Sequence, residues 1–226
     1  MPSRRSLFDR WSETYDGVGL QLVTYRPVHD AVLGRLADVD PAVVVDLGCG
    51  TGQLTARLRD RFPESAVVGI DLSAGMICRA SERVTTPAAR RAGLLRADAH
   101  RLPLSPAAVD VIVCTESFHW YRDQPGVLRE LATALRPGGR LLIASIAAVT
   151  ELGALVVRRT TAAGGNEVTA LPPRRLRTLL ADAGFDVTAQ RRVPRFGPVA
   201  WPVLTEARLP SADAAGQGRR LTVVPA

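Results

Sequence analysis

Short apolar runs and helix-spaced stretches alternate along this chain, and the alternation predicts its architecture. Ala42-Val43-Val44-Val45 is wholly apolar and largely β-branched. Such a run reads as a strand buried on both faces, the habit of parallel sheets. Glycines follow it, then a helical stretch from Gln53 to Arg61. Ala66-Val67-Val68-Gly69-Ile70 repeats the pattern, with Ser73 placed to cap a helix running to about Arg83. Leu94 to Ala97, Val109 to Cys114 and Arg140 to Ser145 predict the third, fourth and fifth strands. A helix from Pro125 to Leu135, closed by Pro137-Gly138-Gly139, separates the last two. Arg174 to Ala183 predicts a helix stopped by Gly184, and Phe185 to Val193 a sixth strand. Ala200 to Arg208 predicts a seventh, although Pro202 sits badly in a strand interior.

Strands alternating with helices imply βαβ units. The expected fold is α/β: a Rossmann-like, doubly wound, mostly parallel seven-stranded sheet with helices on both faces and an N-terminal helical arm. The arm covers residues 1–38. Ser6 to Tyr15 places Phe8, Trp11 and Tyr15 on one helical face, Gly17 and Gly19 break it, and Pro27 opens a second helix. The main domain spans 39–210 and a polar tail 211–226. Residues 147–170 have no clear rhythm and lie where a substrate lid belongs.

Composition narrows the class. The chain has 226 residues, of which 46% are hydrophobic and 23% charged, the mix of one globular domain. No run of about 18 uncharged apolar residues marks a membrane span. Met-Pro-Ser-Arg-Arg-Ser-Leu-Phe superficially resembles a twin-arginine signal, but Asp9, Arg10, Glu13 and Asp16 stand where an apolar stretch is needed. Cys49, Cys78 and Cys114 are too scattered for a disulfide framework or a metal site. The expectation is a cytoplasmic protein without metal. The net charge of +7 comes entirely from arginine, since lysine is absent. It is uneven: 18 arginines face 16 acids up to residue 150, and 11 face six afterwards. That excess reads either as an ordinary solvated surface or as a basic rim around a site for an acidic substrate or carrier.

The sharpest signal is Val43-Val44-Val45-Asp46-Leu47-Gly48-Cys49-Gly50-Thr51-Gly52. A strand enters a glycine turn and then a helix, whose first N–H groups attract an anionic or carboxylate group. Dinucleotide sites want Gly-x-Gly-x-x-Gly, but here the sixth position is Gln53. The strand also ends on the carboxylate of Asp46, which repels pyrophosphate and attracts ammonium or sulfonium. This disfavours NAD and favours S-adenosylmethionine (SAM). Asp71 ends the second strand 25 residues later, where a carboxylate can accept both ribose hydroxyls.

These motifs resemble the class I SAM-dependent methyltransferases, closest to the quinone-biosynthesis and small-molecule group. Ala97-Asp98-Ala99, Val109-Asp110-Val111-Ile112-Val113, Leu135-Arg136-Pro137-Gly138-Gly139-Arg140-Leu141 and Leu179 to Phe185 extend the likeness in the family's order. The resemblance implies that Asp46, Gly48, Cys49, Gly50 and Gly52 hold the amino-acid end of SAM, Asp71 the ribose, and Asp98 the adenine amino group. Leu72, Met76, Ala99, Thr115 and Tyr15 complete the implied cofactor set, with S-adenosylhomocysteine (SAH) as product.

Methyl transfer needs an acceptor aligned with the S–CH3 bond and shielded from water. Cys114 to Tyr121 follows the fourth strand, at the sheet edge where such folds bind ligands. His119 is the candidate general base there, with a packing or orienting role as the alternative. Trp11, Glu116, Phe118 and Trp120 are candidate walls of the acceptor pocket, since seven of the eleven aromatic residues lie in the arm and in this segment. The expected activity is methyl transfer to a small molecule such as a secondary metabolite or quinone. The alternatives are a repurposed cyclase or rearrangement enzyme, a nucleic-acid methyltransferase and a non-enzymatic SAM-binding partner. The absence of Asn/Asp-Pro-Pro-Tyr/Phe after strand four disfavours nucleic acid, and a homodimer stays open.

Overall fold

The computed structural model describes residues 25–84, 92–163, 167–194 and 202–211. A seven-stranded sheet of order β3-β2-β1-β4-β5-β7-β6 organises them. Helix α1 (Arg26–Arg35) precedes β1 (Val43–Leu47), and α2 (Gln53–Arg61) leads to β2 (Ala66–Asp71). Helix α3 (Ala74–Val84), β3 (Ala92–Arg96) and β4 (Val109–Thr115) follow. A 3-10 turn at Phe118–Trp120 then leads to α4 (Gln124–Ala134), β5 (Leu135–Ile146) and α5 (Glu151–Ala163). The chain continues with α6 (Pro173–Asp182), β6 (Asp186–Arg192) and β7 (Pro202–Arg208). Strands β1 to β5 pair in parallel, and β7 runs antiparallel between β5 and β6.

The period of two fixes the two faces. Val44, Val111, Val113, Leu142 and Ala144 pack with Val28 and Val32 of α1 and Leu54 and Leu58 of α2. Val45, Leu47, Ile112, Cys114, Leu141 and Ile143 pack with Leu128 of α4 and Leu180 of α6. Both faces are therefore covered, as the unbroken apolar runs require. Asp110 anchors the start of β1: its Oδ2 accepts the N–H groups of Ala42 and Val43 at 2.8 and 2.7 Å.

The chain winds outward from β1 to β3, then returns to β4 beside β1. That reversal opens a crevice at the carboxyl ends of β1 and β4, the usual ligand position of an open α/β sheet. Among the described residues, no helix is long and apolar enough to cross a membrane and no side-chain cluster suits a metal ion.

Three readings need adjustment. Strand β5 begins at Leu135, not Arg140: the register jumps from Val109↔Leu135 to Val111↔Arg140, and the Pro-Gly-Gly turn bulges out between them. Residues 147–170 contain a three-turn helix, α5, with no buried residue. Pro202 opens β7, where a missing N–H costs nothing, and its carbonyl accepts Val193 N–H at 2.9 Å. The expected helix at Ser6–Tyr15, with Trp11 and Tyr15, and the tail beyond 211 lie outside the described residues.

Candidate functional site

Backbone hydrogen bonds to the tip of β2 hold the glycine loop in place. Gly48 N–H and Cys49 N–H both donate to the Ile70 carbonyl, at 2.7 and 3.1 Å. Gly50 N–H donates to Asp71 Oδ2 and Ser73 N–H to Asp71 Oδ1, each at 2.9 Å. Asp71 thus braces the loop while standing half-buried at the sheet edge. Ser73 Oγ accepts Met76 N–H at 3.1 Å and caps α3 as expected. Gly48 has φ +71°, and a Cβ there would lie 2.3 Å from Ser117 Oγ. Gly50 has φ +54°, and its Cβ direction meets nothing within 4 Å. One glycine admits a neighbouring loop, and the other keeps the approach to the backbone clear.

Asp46 lies behind this loop, 1% exposed. Its Oδ2 accepts the Thr55 hydroxyl at 2.7 Å, while Oδ1 is buried without a hydrogen-bond partner. Burial pushes its carboxyl up to about 7, against the Thr55 hydrogen bond and helped by the charge of Asp71. A buried carboxylate with one idle oxygen has high affinity for a cation. The ammonium and sulfonium groups of SAM suit this corner, whereas a pyrophosphate does not. Cys49 lines the loop as an inert thiol, since burial first, then Asp46 and Asp71, hold it well above the usual range.

The segment after β4 completes the crevice. Glu116 adopts φ +53° and donates its N–H to the Ala144 carbonyl at 2.7 Å. A left-handed glutamate at a strand terminus is uncommon and recurs at ligand sites. Ser117 Oγ donates to the Leu47 carbonyl at 3.1 Å and stands 3.2 Å from Tyr121 Oη and 3.1 Å from Cys114 Sγ. It joins this segment to the root of the glycine loop. Burial raises both neighbours: Cys114 to about 12 and Tyr121 well above its ordinary range. Thr115 closes β4 opposite Ala144.

His119 is 2% exposed, with its Nδ1 3.1 Å from Ser145 Oγ and its ring centroid 5.3 Å from that of Trp120. Ser145 Oγ also reaches the Ile146 carbonyl, at 3.4 Å. Phe118 belongs to the core and also lines a narrow cleft with Gln124, Ser145, Thr169 and Leu176. Gln124 Nε2 donates to the Phe118 and Thr169 carbonyls, both at 3.0 Å, and fixes the floor of that cleft.

At the other end, Leu72 is 39% exposed although apolar, while Met76 and Ala99 are buried. Asp98 is exposed, and its Oδ1 accepts both the N–H and the Nδ1–H of His100. Partial burial pushes the Asp98 carboxyl up, but the hydrogen bonds from His100 outweigh this and leave it low. The sequence reading had no role for Thr55, His100, Ser145 or the Ser117 bridge. Only Ser117 and Tyr121 carried a signal, by lying in the segment already singled out.

Residues 44–139 match the family model described as a methyltransferase domain. The chain is 36% identical over 146 residues to a malonyl-[acyl-carrier protein] O-methyltransferase of Dechloromonas aromatica, covering 65% of this chain and 51% of that protein. It thus spans about half the length of such a relative. A chain of the Haloferax volcanii complex containing the Trm112 methyltransferase activator superposes with TM-score 0.74 at 23% identity, covering 92% of this chain and 100% of that one. Burkholderia thailandensis 1,6-didemethyltoxoflavin-N1-methyltransferase, solved with its substrate and SAH, superposes with TM-score 0.69 at 20% identity, covering 92% and 87%.

Proposed function

We propose, for a chain that belongs to the class I SAM-dependent methyltransferase family, that it transfers the methyl group of SAM to a small-molecule acceptor. The observation that carries this is the corner formed by Asp46 and the glycine loop. A buried carboxylate with an unpartnered oxygen stands behind a turn whose backbone is open to a ligand. The co-crystallised SAH of the toxoflavin relative supports the same cofactor.

SAM, when bound, supplies an electrophilic methyl group and a neutral thioether leaving group. The chain's own residues bind and orient. Asp46 and the loop Gly48–Gly52 hold the cationic end, Asp71 the ribose hydroxyls and Asp98 the adenine amino group, with Leu72 against the base. Phe118 and Trp120 exclude water from the acceptor cleft, and Glu116 shapes its mouth. His119 accepts the proton of an acceptor hydroxyl or amine. An acceptor that is already ionised, such as a carboxylate, needs no base.

The test incubates the protein with SAM bearing a trideuterated methyl group and a metabolite extract of its source, read by mass spectrometry. Label in a small molecule supports the reading. SAH binding with conversion of a precursor to its isomer, and no label, replaces it with a repurposed enzyme. With the labelled acceptor in hand, His119→Ala is expected to lower kcat at least about tenfold while SAH affinity holds. An unchanged kcat removes His119 as base and assigns the acceptor to the ionised class.

A further inference from the structure

His100 lies just beyond the carboxyl end of β3 and has no part in the methyl transfer itself. Its backbone N–H and its Nδ1 both reach Asp98 Oδ1, at 3.0 and 2.7 Å. The Asp123 N–H donates to its Nε2 at 3.4 Å. A ring nitrogen that accepts cannot carry the proton, so the Asp123 amide sets the tautomer and leaves Nδ1–H to donate. Tyr121 packs edge-on against the ring at 6.2 Å, and Tyr121 Oη meets Ser117 Oγ at 3.2 Å. His100 is thus held from the β4 side and holds Asp98 on the β3 side. Among the described residues, Asp98 Oδ2 is left without a hydrogen-bond partner. Asp98 would otherwise be a freely rotating surface carboxylate, with a side chain 55% exposed.

We infer that His100 is the positioning residue for base selection: by pinning Oδ1 it presents Oδ2 as a fixed acceptor for an exocyclic amino group. The inference rests on the reading above, that Asp98 faces the adenine of SAM. An oriented acceptor distinguishes an adenine amino group, which donates, from a carbonyl at the same position, which repels it.

The experiment is calorimetric titration with SAH and with its deaminated analogue, S-inosylhomocysteine, alongside thermal melts. The parent protein is expected to prefer SAH by at least about tenfold. In His100→Ala the affinity for SAH falls about tenfold, the analogue's affinity changes little, and the preference shrinks toward unity. His100→Asn restores the preference, because its amide can donate to Asp98 and accept from Asp123. Unchanged SAH affinity and preference in His100→Ala overturn the inference. So does an equal loss for both ligands that His100→Asn fails to rescue, which marks a merely structural role. A parent that binds SAH without preferring the amino group overturns it while leaving the cofactor reading intact. A parent that binds neither ligand overturns both.

Discussion

One methyl group separates Gly48 from alanine, and the space for it is taken. Gly48→Ala would set a Cβ 2.3 Å from Ser117 Oγ on a backbone at φ +71°. The left-handed backbone costs about 1 kcal/mol and a displaced Ser117 hydrogen bond about as much again. We expect a loss of about 2 kcal/mol in urea unfolding, with weaker SAH binding. A change below about 0.5 kcal/mol would mean that Ser117 yields freely. Asp46 gives a second expectation. Its carboxyl titrates near 7 in the free site because burial penalises the charge, against about 3.9 for an ordinary aspartate. A raised carboxyl favours the fold most at low pH, and the contribution is lost as pH rises through 7. A sulfonium or ammonium partner stabilises the ionised form, so SAM binding expels a proton and tightens from pH 6 to 8. Calorimetry in two buffers of different ionisation enthalpy reads the proton. Affinity flat across that range in the parent, or the same slope in Asp46→Asn, would remove Asp46 as the cation's partner.

At the scale of elements, legibility followed burial. Helix α2 spans Gln53–Arg61 as the pattern predicts, and β1, β2 and β4 lie within two residues of expectation at either end. Fully covered strands leave an unbroken apolar signature, and glycine and serine mark the turns. Helix α5 left no such signature because its amphipathicity is inverted. Leu152, Leu155 and Val156 face outward at 70%, 44% and 53% exposure, while Ala154 and Val157 pack inward against the Ala148–Val168 cluster. The bulge in β5 was hidden because Pro137-Gly138-Gly139 reads as a stop, whereas Leu135 had already paired with Val109. Candidate site residues were legible as positions in the fold where backbone conformation or strand ends marked them, as with Gly48, Asp46 and Asp71. Their partners were not, since Ser145 lies 26 residues from His119 and Ser117 lies 70 from Leu47. A pairing across the sheet edge has no local trace.

For the whole molecule, the buried histidine of α1 sets an acid limit. His29 is 7% exposed, and desolvation first, then Arg57, lowers it to about 4 against the opposing charge of Asp30. A depressed histidine supports the fold above its ordinary value near 6.5 and loses that support as pH falls toward 4. Urea unfolding should therefore show about 2 kcal/mol less stability at pH 5 than at pH 7.5 from this group alone. His29→Leu, of similar volume, should remove that part of the slope; an unaltered slope would assign acid sensitivity elsewhere. The placement of β7 bears on how the molecule is made. The Asp46–Asp71 corner and the β4 edge are complete in sequence once residue 115 has been synthesised. Among the described residues, strand β6 touches no other strand than β7, and β5 has no second neighbour until residues 202–208 arrive. A ribosome therefore delivers the β1–β4 half early and must hold the other half open until residue 208. Until then β5 offers a bare hydrogen-bonding edge and β6 stands unpaired, the stage at which a nascent chain is most exposed to mispairing.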